Sequence, residues 1–249
     1  MPGRLVYAPG MASAPTGSAS LTQPDYWWYR ARSELLRTAL APYMGRPTRV
    51  LDVGSADGPS VDWMHGDHER FALDVDPRGL RPGSGVCGSA TALPFADASF
   101  DLVGAFDVVE HCDPEAQAFA ELARVLVPGG RLLLSVPAYQ WAWSDHDVRA
   151  GHYRRYTLRR LERAVRAAGL HVERSTYAFT SVFPLFAAER MARRLRRTSA
   201  ESGPQQLTEV SPTVESVLLG LCRVDRRLLR RHDLPFGSSV LLAATKPRG

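Results

Sequence analysis

The stretch Val50-Leu51-Asp52-Val53-Gly54-Ser55-Ala56-Asp57-Gly58 decides how this chain is read. A short apolar run leads into a glycine-containing turn, which is the pattern of a buried strand ending ahead of a helix. Gly54 and Gly58 permit backbone angles and a close approach that a side chain would block, so a flat or charged ligand can lie against main-chain N–H groups. Asp74 stands 20 residues beyond Gly54, at the end of a second apolar run, where an acid can hold ribose hydroxyls. A dinucleotide fingerprint would need glycine at three set positions of this turn, and the chain has Gly54, Ala56 and Pro59 there. The nicotinamide dehydrogenase reading is therefore poor.

Outward from this turn, short apolar runs alternate with helical patterns, which predicts an α/β sheet with parallel strands. Strands are predicted at Thr48–Gly54, Arg70–Val75, Gly85–Gly88, Phe100–Phe106, Arg131–Val136, His171–Tyr177 and Ser238–Ala244. A helix is predicted over Pro114–Leu126, capped by Asp113 and stopped by Gly129-Gly130, and another from Thr157 to Gly169. The expected organisation is a disordered tail over 1–20, a cap helix over 21–46 that Pro47 ends, and a core over 47–178. A helical accessory insertion over 179–235 follows, containing amphipathic helices at Phe183–Arg197 and Val214–Arg231, and 236–249 carry the final core strand and tail.

With 249 residues, 45% hydrophobic and 23% charged, the chain is expected to fold as one globular domain with an accessory element. No run approaches the roughly 18 apolar residues of a membrane span, and Met1–Ser20 lacks the apolar core of a secretion signal, so the expected location is cytoplasmic. Cys87, Cys112 and Cys222 are too few and too scattered for a disulfide framework or a cysteine zinc cluster. The net charge of +5 is unevenly spread: residues 1–148 carry 11 basic and 18 acidic side chains, residues 149–249 carry 20 and 8. A basic C-terminal half can steer an anionic substrate or rest on a membrane surface. No RNA-binding module is recognisable, so a nucleic-acid partner is not expected.

Taken together with Ala72–Pro77, Leu93–Val103, Val108–His111 and Arg124–Arg131, the opening stretch resembles the class I S-adenosylmethionine-dependent methyltransferases over residues 48–178. The resemblance implies a Rossmann-like seven-stranded sheet with helices on both faces, its final strand inserted antiparallel, and S-adenosylmethionine across the strand ends. By position, Asp52, Gly54, Ser55 and Gly58 would line the methionine part and Asp74 the ribose. Val75, Ser89 and Ala90 would flank adenine, and Phe106 would close the site at the end of the fourth strand. Two departures stand out: Ala56 replaces the middle glycine, and Ser89 replaces an acid that commonly meets the adenine amino group.

Methyl transfer from a sulfonium is an in-line displacement, so the chemistry must lie at the strand ends. Two polar segments are placed there, Ala105–Pro114 and Trp141–Tyr156, and they offer His111, His146 and His152 as catalytic candidates. Within the second segment, Asp147 and Arg155 read either as site residues or as an ion pair fixing the loop. Asp107-x-x-Glu110-His111 with the later His152 resembles the metal-binding pattern of small-RNA 2′-O-methyltransferases and of ubiquinone-pathway O-methyltransferases. That likeness implies one divalent metal, magnesium, manganese, iron or zinc, held by Asp107, Glu110, His111 and His152. Tyr26–Tyr29 with Arg32, and the Trp143–Asp147 and Gly151–Thr157 motifs, resemble a bacterial subgroup of small methyltransferases associated with glycoconjugates and natural products. The aromatic run reads equally well as cover for the ligand or as core.

The expected activity is methylation of a small molecule at oxygen. The alternative is metal-independent transfer to nitrogen or carbon with His146 or His152 as base. A reading from another class is a non-catalytic S-adenosylmethionine-binding or membrane-associated scaffold using the arginine-rich C-terminal helices. Oligomeric state is not readable from the sequence.

Overall fold

A computed structural model describes residues 25–54, 59–77, 80, 85–196 and 210–249. The tail expected over 1–20 lies outside the described residues, as does most of the linker between the last two helices. The strands are β1 (Arg49–Val53), β2 (Glu69–Asp74), β3 (Gly85–Cys87), β4 (Phe100–Phe106), β5 (Leu126–Pro137), β6 (His171–Ala178) and β7 (Ser239–Thr245). They form one sheet in the order β3-β2-β1-β4-β5-β7-β6, with β7 antiparallel to both neighbours and the other pairings parallel. The carboxyl ends of the parallel strands and the start of β7 therefore share one edge.

The α-helices among the described residues are α1 (Trp27–Leu40), α2 (Glu115–Val125), α3 (Asp145–Ala150), α4 (Leu158–Ala167), α5 (Phe183–Arg196) and α6 (Pro212–Leu229). The central strands are apolar because both faces are covered, and Val50, Leu51, Leu102, Val103 and Leu132–Leu134 are fully buried. α2 lays Ala118, Phe119 and Leu122 on the sheet, where each large apolar side chain contributes about 1.5–3 kcal/mol. Its ends differ from expectation. Asp113 does not cap it, because the Asp113 carboxylate accepts a hydrogen bond from Arg154 at 2.5 Å and the helix starts from extended Pro114. Gly129 and Gly130 do not stop it either: the helix passes straight into β5 at Leu126, and the two glycines lie within that strand. Thr157 does cap α4, accepting from the Arg160 N–H.

α1 ends at Leu40, ahead of Pro47, in one tight 3₁₀ turn. It packs beside α6, with Arg30 to Glu215 at 3.0 Å and Arg226 to Glu34 at 2.6 Å. Arg174 of β6 fastens both helices, donating to the Ala39 carbonyl near the end of α1 at 3.0 Å and to the Leu229 carbonyl of α6 at 2.7 Å. Those carbonyls have no partner within their own helices, so a cation placed there satisfies them. No helix among the described residues is long and apolar enough to cross a membrane.

Candidate active site at the strand ends

Three residues other than glycine adopt left-handed backbone angles just beyond strand ends on the shared edge: Asp107 (φ 59°) after β4, Tyr139 (φ 61°) after β5 and Phe179 (φ 63°) after β6. Such conformations are costly and concentrate at functional sites. Each of the three is held by a specific contact. Asp107 accepts from Arg32 of α1 at 2.8 Å and from the Ser135 hydroxyl at 3.0 Å, and Arg32 also donates to Ser135 at 3.1 Å. Phe179 stacks on Trp28 of α1 at 5.9 Å. Tyr139 stacks between Tyr177 and Trp141, at 5.2 and 5.9 Å. Neither Arg32 nor Ser135 was singled out as a partner of Asp107 from the sequence; the signal was a lone hydroxyl in the apolar run of β5.

At the cofactor side, Gly54 follows β1 with φ 71°, and a Cβ there would lie 2.3 Å from the Val108 side chain. Its N–H donates to the Leu73 carbonyl, which ties the turn to β2. Ser55 and Gly58 lie outside the described residues. Asp74 is half-buried, and its carboxylate accepts from the Asp76 N–H at 2.8 Å. Val75 is 61% exposed, an open apolar face next to Asp74, while Ala90 is buried and Phe106 packs edge-on to Trp63. This geometry fits a nucleoside: an acid for the ribose and an open apolar surface for the base. Asp52 is fully buried and pairs through Oδ2 with Arg70 at 2.8 Å, which braces β1 against β2. The Ser89 hydroxyl is turned into its own loop, 2.8 Å from the Thr91 hydroxyl.

On the acceptor side, ligand atoms of Glu110, His111 and His152 lie within 4.8 Å of one another, as a divalent ion would need. Asp107 is not in this trio, because Arg32 and Ser135 hold its carboxylate. Glu110 is fully buried, and neither carboxyl oxygen has a hydrogen-bond partner. Burial, reinforced by the charge of Asp107, pushes its carboxyl well above the usual range. The His111 ring meets His152 edge-on at 4.6 Å, and desolvation together with that neighbour holds its pKa low. His146 is half-buried with its ring 6.3 Å from His152, and burial lowers its pKa.

The loop carrying His152 is built around Asp147, which is fully buried. Arg155 donates to both its oxygens at 2.7 and 3.1 Å, Ser144 caps α3 through it, and His152 Nδ1 lies 2.8 Å from Oδ1. Burial alone would raise the Asp147 carboxyl, but the bonds from His152 and Arg155 outweigh it and hold the carboxyl below the usual carboxylate range. The Tyr153 N–H donates to the Glu110 carbonyl at 2.8 Å, which joins the two polar segments. A separate cavity of about 410 Å³ lies between α1 and α6, lined by Tyr29, Arg30, Glu34, Cys222, Arg223 and Arg226, away from the histidines.

Residues 51–134 match the model of the methyltransferase domain family. The chain is 36% identical over 170 residues to an uncharacterized methyltransferase of Mycolicibacterium gilvum, covering 57% of this chain and 66% of that protein. It is 34% identical over 154 residues to a malonyl-[acyl-carrier protein] O-methyltransferase of Erwinia pyrifoliae, covering 56% and 58%. The matches span 66% and 58% of these two relatives, under two thirds of each. In fold it is similar to the 1,6-didemethyltoxoflavin-N1-methyltransferase of Burkholderia thailandensis, solved with its substrate and S-adenosylhomocysteine, at TM-score 0.53 and 19% identity over 95% of this chain and 93% of that one. Residues 51–134 thus match a methyltransferase domain, and the fold is similar to that of a methyltransferase solved with S-adenosylhomocysteine.

Proposed function

We propose that the chain transfers the methyl group of S-adenosylmethionine to an oxygen of a small-molecule acceptor held at the ends of β4 and β5. The observation that carries this reading is Glu110, a buried carboxyl without a hydrogen-bond partner, facing two imidazoles beside the cofactor edge. Burying such a group is expensive unless it serves a ligand or a proton. In the transfer, an acceptor oxygen lone pair forms the new bond to the methyl carbon as the carbon–sulfur bond breaks. The sulfonium leaves as the neutral thioether, and the acceptor proton passes to an imidazole, for which His152 is best placed. Two imidazoles and a carboxylate suit zinc, iron or manganese better than magnesium, and Glu110, His111 and His152 would hold such an ion. When bound it would supply Lewis acidity that lowers the pKa of a hydroxyl.

A second reading, metal-independent transfer to oxygen, nitrogen or carbon with His152 as base, is favoured by the hydrogen bond between His152 and Asp147. Untagged protein should be assayed over a panel of hydroxyl-bearing acceptors before chelation, after it, and after add-back of single metals. Loss and recovery of turnover supports the metal reading. Full activity in metal-free protein overturns it and leaves His152 as the base.

A further inference from the structure

We infer that Asp147 is a positioning residue that fixes the tautomer of His152, holding its proton on Nδ1 so that the Nε2 lone pair faces Glu110 and His111. The inference rests on the reading that His152 serves the reaction centre, and it holds whether the imidazole binds a metal or takes a proton. His152 Nδ1 lies 2.8 Å from Asp147 Oδ1, and the His152 N–H donates to the Asp147 carbonyl at 2.9 Å, so ring and backbone are fixed by one residue. With Nδ1 engaged, Nε2 is the remaining ring nitrogen, and a ring nitrogen of His152 lies within 4.8 Å of ligand atoms of Glu110 and His111. The carboxylate itself cannot turn. Arg155, 5% exposed, donates to both oxygens, and Ser144 donates to Oδ2 from its N–H at 2.9 Å and from its hydroxyl at 3.2 Å. An ionised carboxylate so crowded by donors has only acceptor capacity to offer His152, and this selects the Nδ1–H form. Carboxylates behind histidines fix ring orientation in the same way, and their loss typically lowers metal affinity about 10–100-fold.

The competing role is purely structural: Asp147 caps α3 and anchors Arg155, and the contact with His152 is incidental. Asp147→Asn separates the two. Three donors converge on the Oδ2 position, from the Ser144 N–H, the Ser144 hydroxyl and Arg155 Nη2, against Arg155 Nε alone, besides His152, on Oδ1, so the amide oxygen takes the Oδ2 place at the cost of the Nε bond. The amide NH₂ then faces His152 and can only donate, which drives the proton from Nδ1 to Nε2. Ser144→Ala removes a capping bond and leaves the contact with His152 in place.

The test is ¹⁵N NMR of histidine-labelled full-length protein, with the His152 ring assigned by His152→Gln, run beside calorimetry with manganese chloride. The expected result is an Nδ1–H ring in the wild type and in Ser144→Ala, and an Nε2–H ring in Asp147→Asn. Manganese affinity should fall about 10–100-fold in Asp147→Asn and hold in Ser144→Ala. An Nε2–H ring in the wild type, or an Nδ1–H ring retained in folded Asp147→Asn, overturns the inference. Should Asp147→Asn not fold, the wild-type and Ser144→Ala tautomers still decide it. Wild-type protein that binds no manganese counts against the metal reading alone, since the tautomer is read without metal.

Discussion

Arg32 of α1 and Asp107 at the end of β4 form an ion pair at 2.8 Å, with the arginine side chain 10% exposed. The pair joins α1 to a strand end whose backbone is left-handed, and Ser135 closes the triangle. Asp107→Asn keeps the shape and tolerates the backbone angle but removes the charge that Arg32 faces. We expect a loss of about 1.5–3 kcal/mol in urea unfolding. With Arg32→Met the double variant should recover about 1 kcal/mol relative to the sum of the singles. Strict additivity would show that the contact does not couple α1 to the strand.

Gly54→Ala should be damaging for two independent reasons. The position has φ 71°, and the added methyl would sit 2.3 Å from the Val108 side chain. The expected cost is about 2 kcal/mol or more. Val108→Ala in the same chain removes the overlap but not the strained angle, so it should rescue only part. Full rescue would put the whole penalty on the contact.

Asp101, at the start of β4, accepts from the Thr48 hydroxyl at 2.6 Å and from the Thr48 and Arg49 N–H groups at 2.9 Å each. These bonds, the Thr48 hydroxyl foremost, lower its pKa. A depressed folded-state pKa means the unfolded chain binds the proton more readily, so the stabilisation is present above the unfolded value of about 3.9 and is lost as pH falls through the folded one. Urea midpoints of wild type and Asp101→Asn should differ at pH 7 and converge below about pH 4. A constant gap would rule out the ionised form as the source.

The apolar start of α5 is turned toward the sheet. Phe183 meets Tyr139 and Phe236 at 5.6 Å each and Trp141 at 6.1 Å. Phe183→Ala should cost about 2 kcal/mol or more and loosen α5 from the strand ends. Phe183 is engaged in this packing while Leu185 and Met191 stay exposed, and we expect anionic vesicles to sediment little protein at physiological salt. Strong, salt-sensitive co-sedimentation would instead assign α5 to a membrane surface.

The sheet was legible because each strand is a short apolar run bounded by turn residues, and period and punctuation are local properties of the chain. Phe100–Phe106 has the expected bounds, and the antiparallel insertion of β7 followed from the family resemblance. What escaped the sequence was the choice of partner. Asp107 looked like a metal ligand because it stands three residues before Glu110, but its partners, Arg32 and Ser135, are 75 and 28 positions away. Arg70, which pairs with Asp52, is a neighbour only across the sheet. Asp113 lost its capping role to a competing arginine in the same way. Glu110, His111 and His152 were expected together from the family resemblance, and the fold brings their ligand atoms within 4.8 Å of one another.

We expect the cleft built by Gly54, Asp74 and Val75 to bind S-adenosylmethionine. This is tested most directly by calorimetry of S-adenosylhomocysteine against the wild type and Asp74→Ala. Removing the carboxylate takes away charge-assisted hydrogen bonds of about 1.5–3 kcal/mol each, so affinity should fall at least about tenfold while the fold, followed by urea unfolding, persists. Unchanged affinity in Asp74→Ala, or no binding by the wild type, would contradict the account.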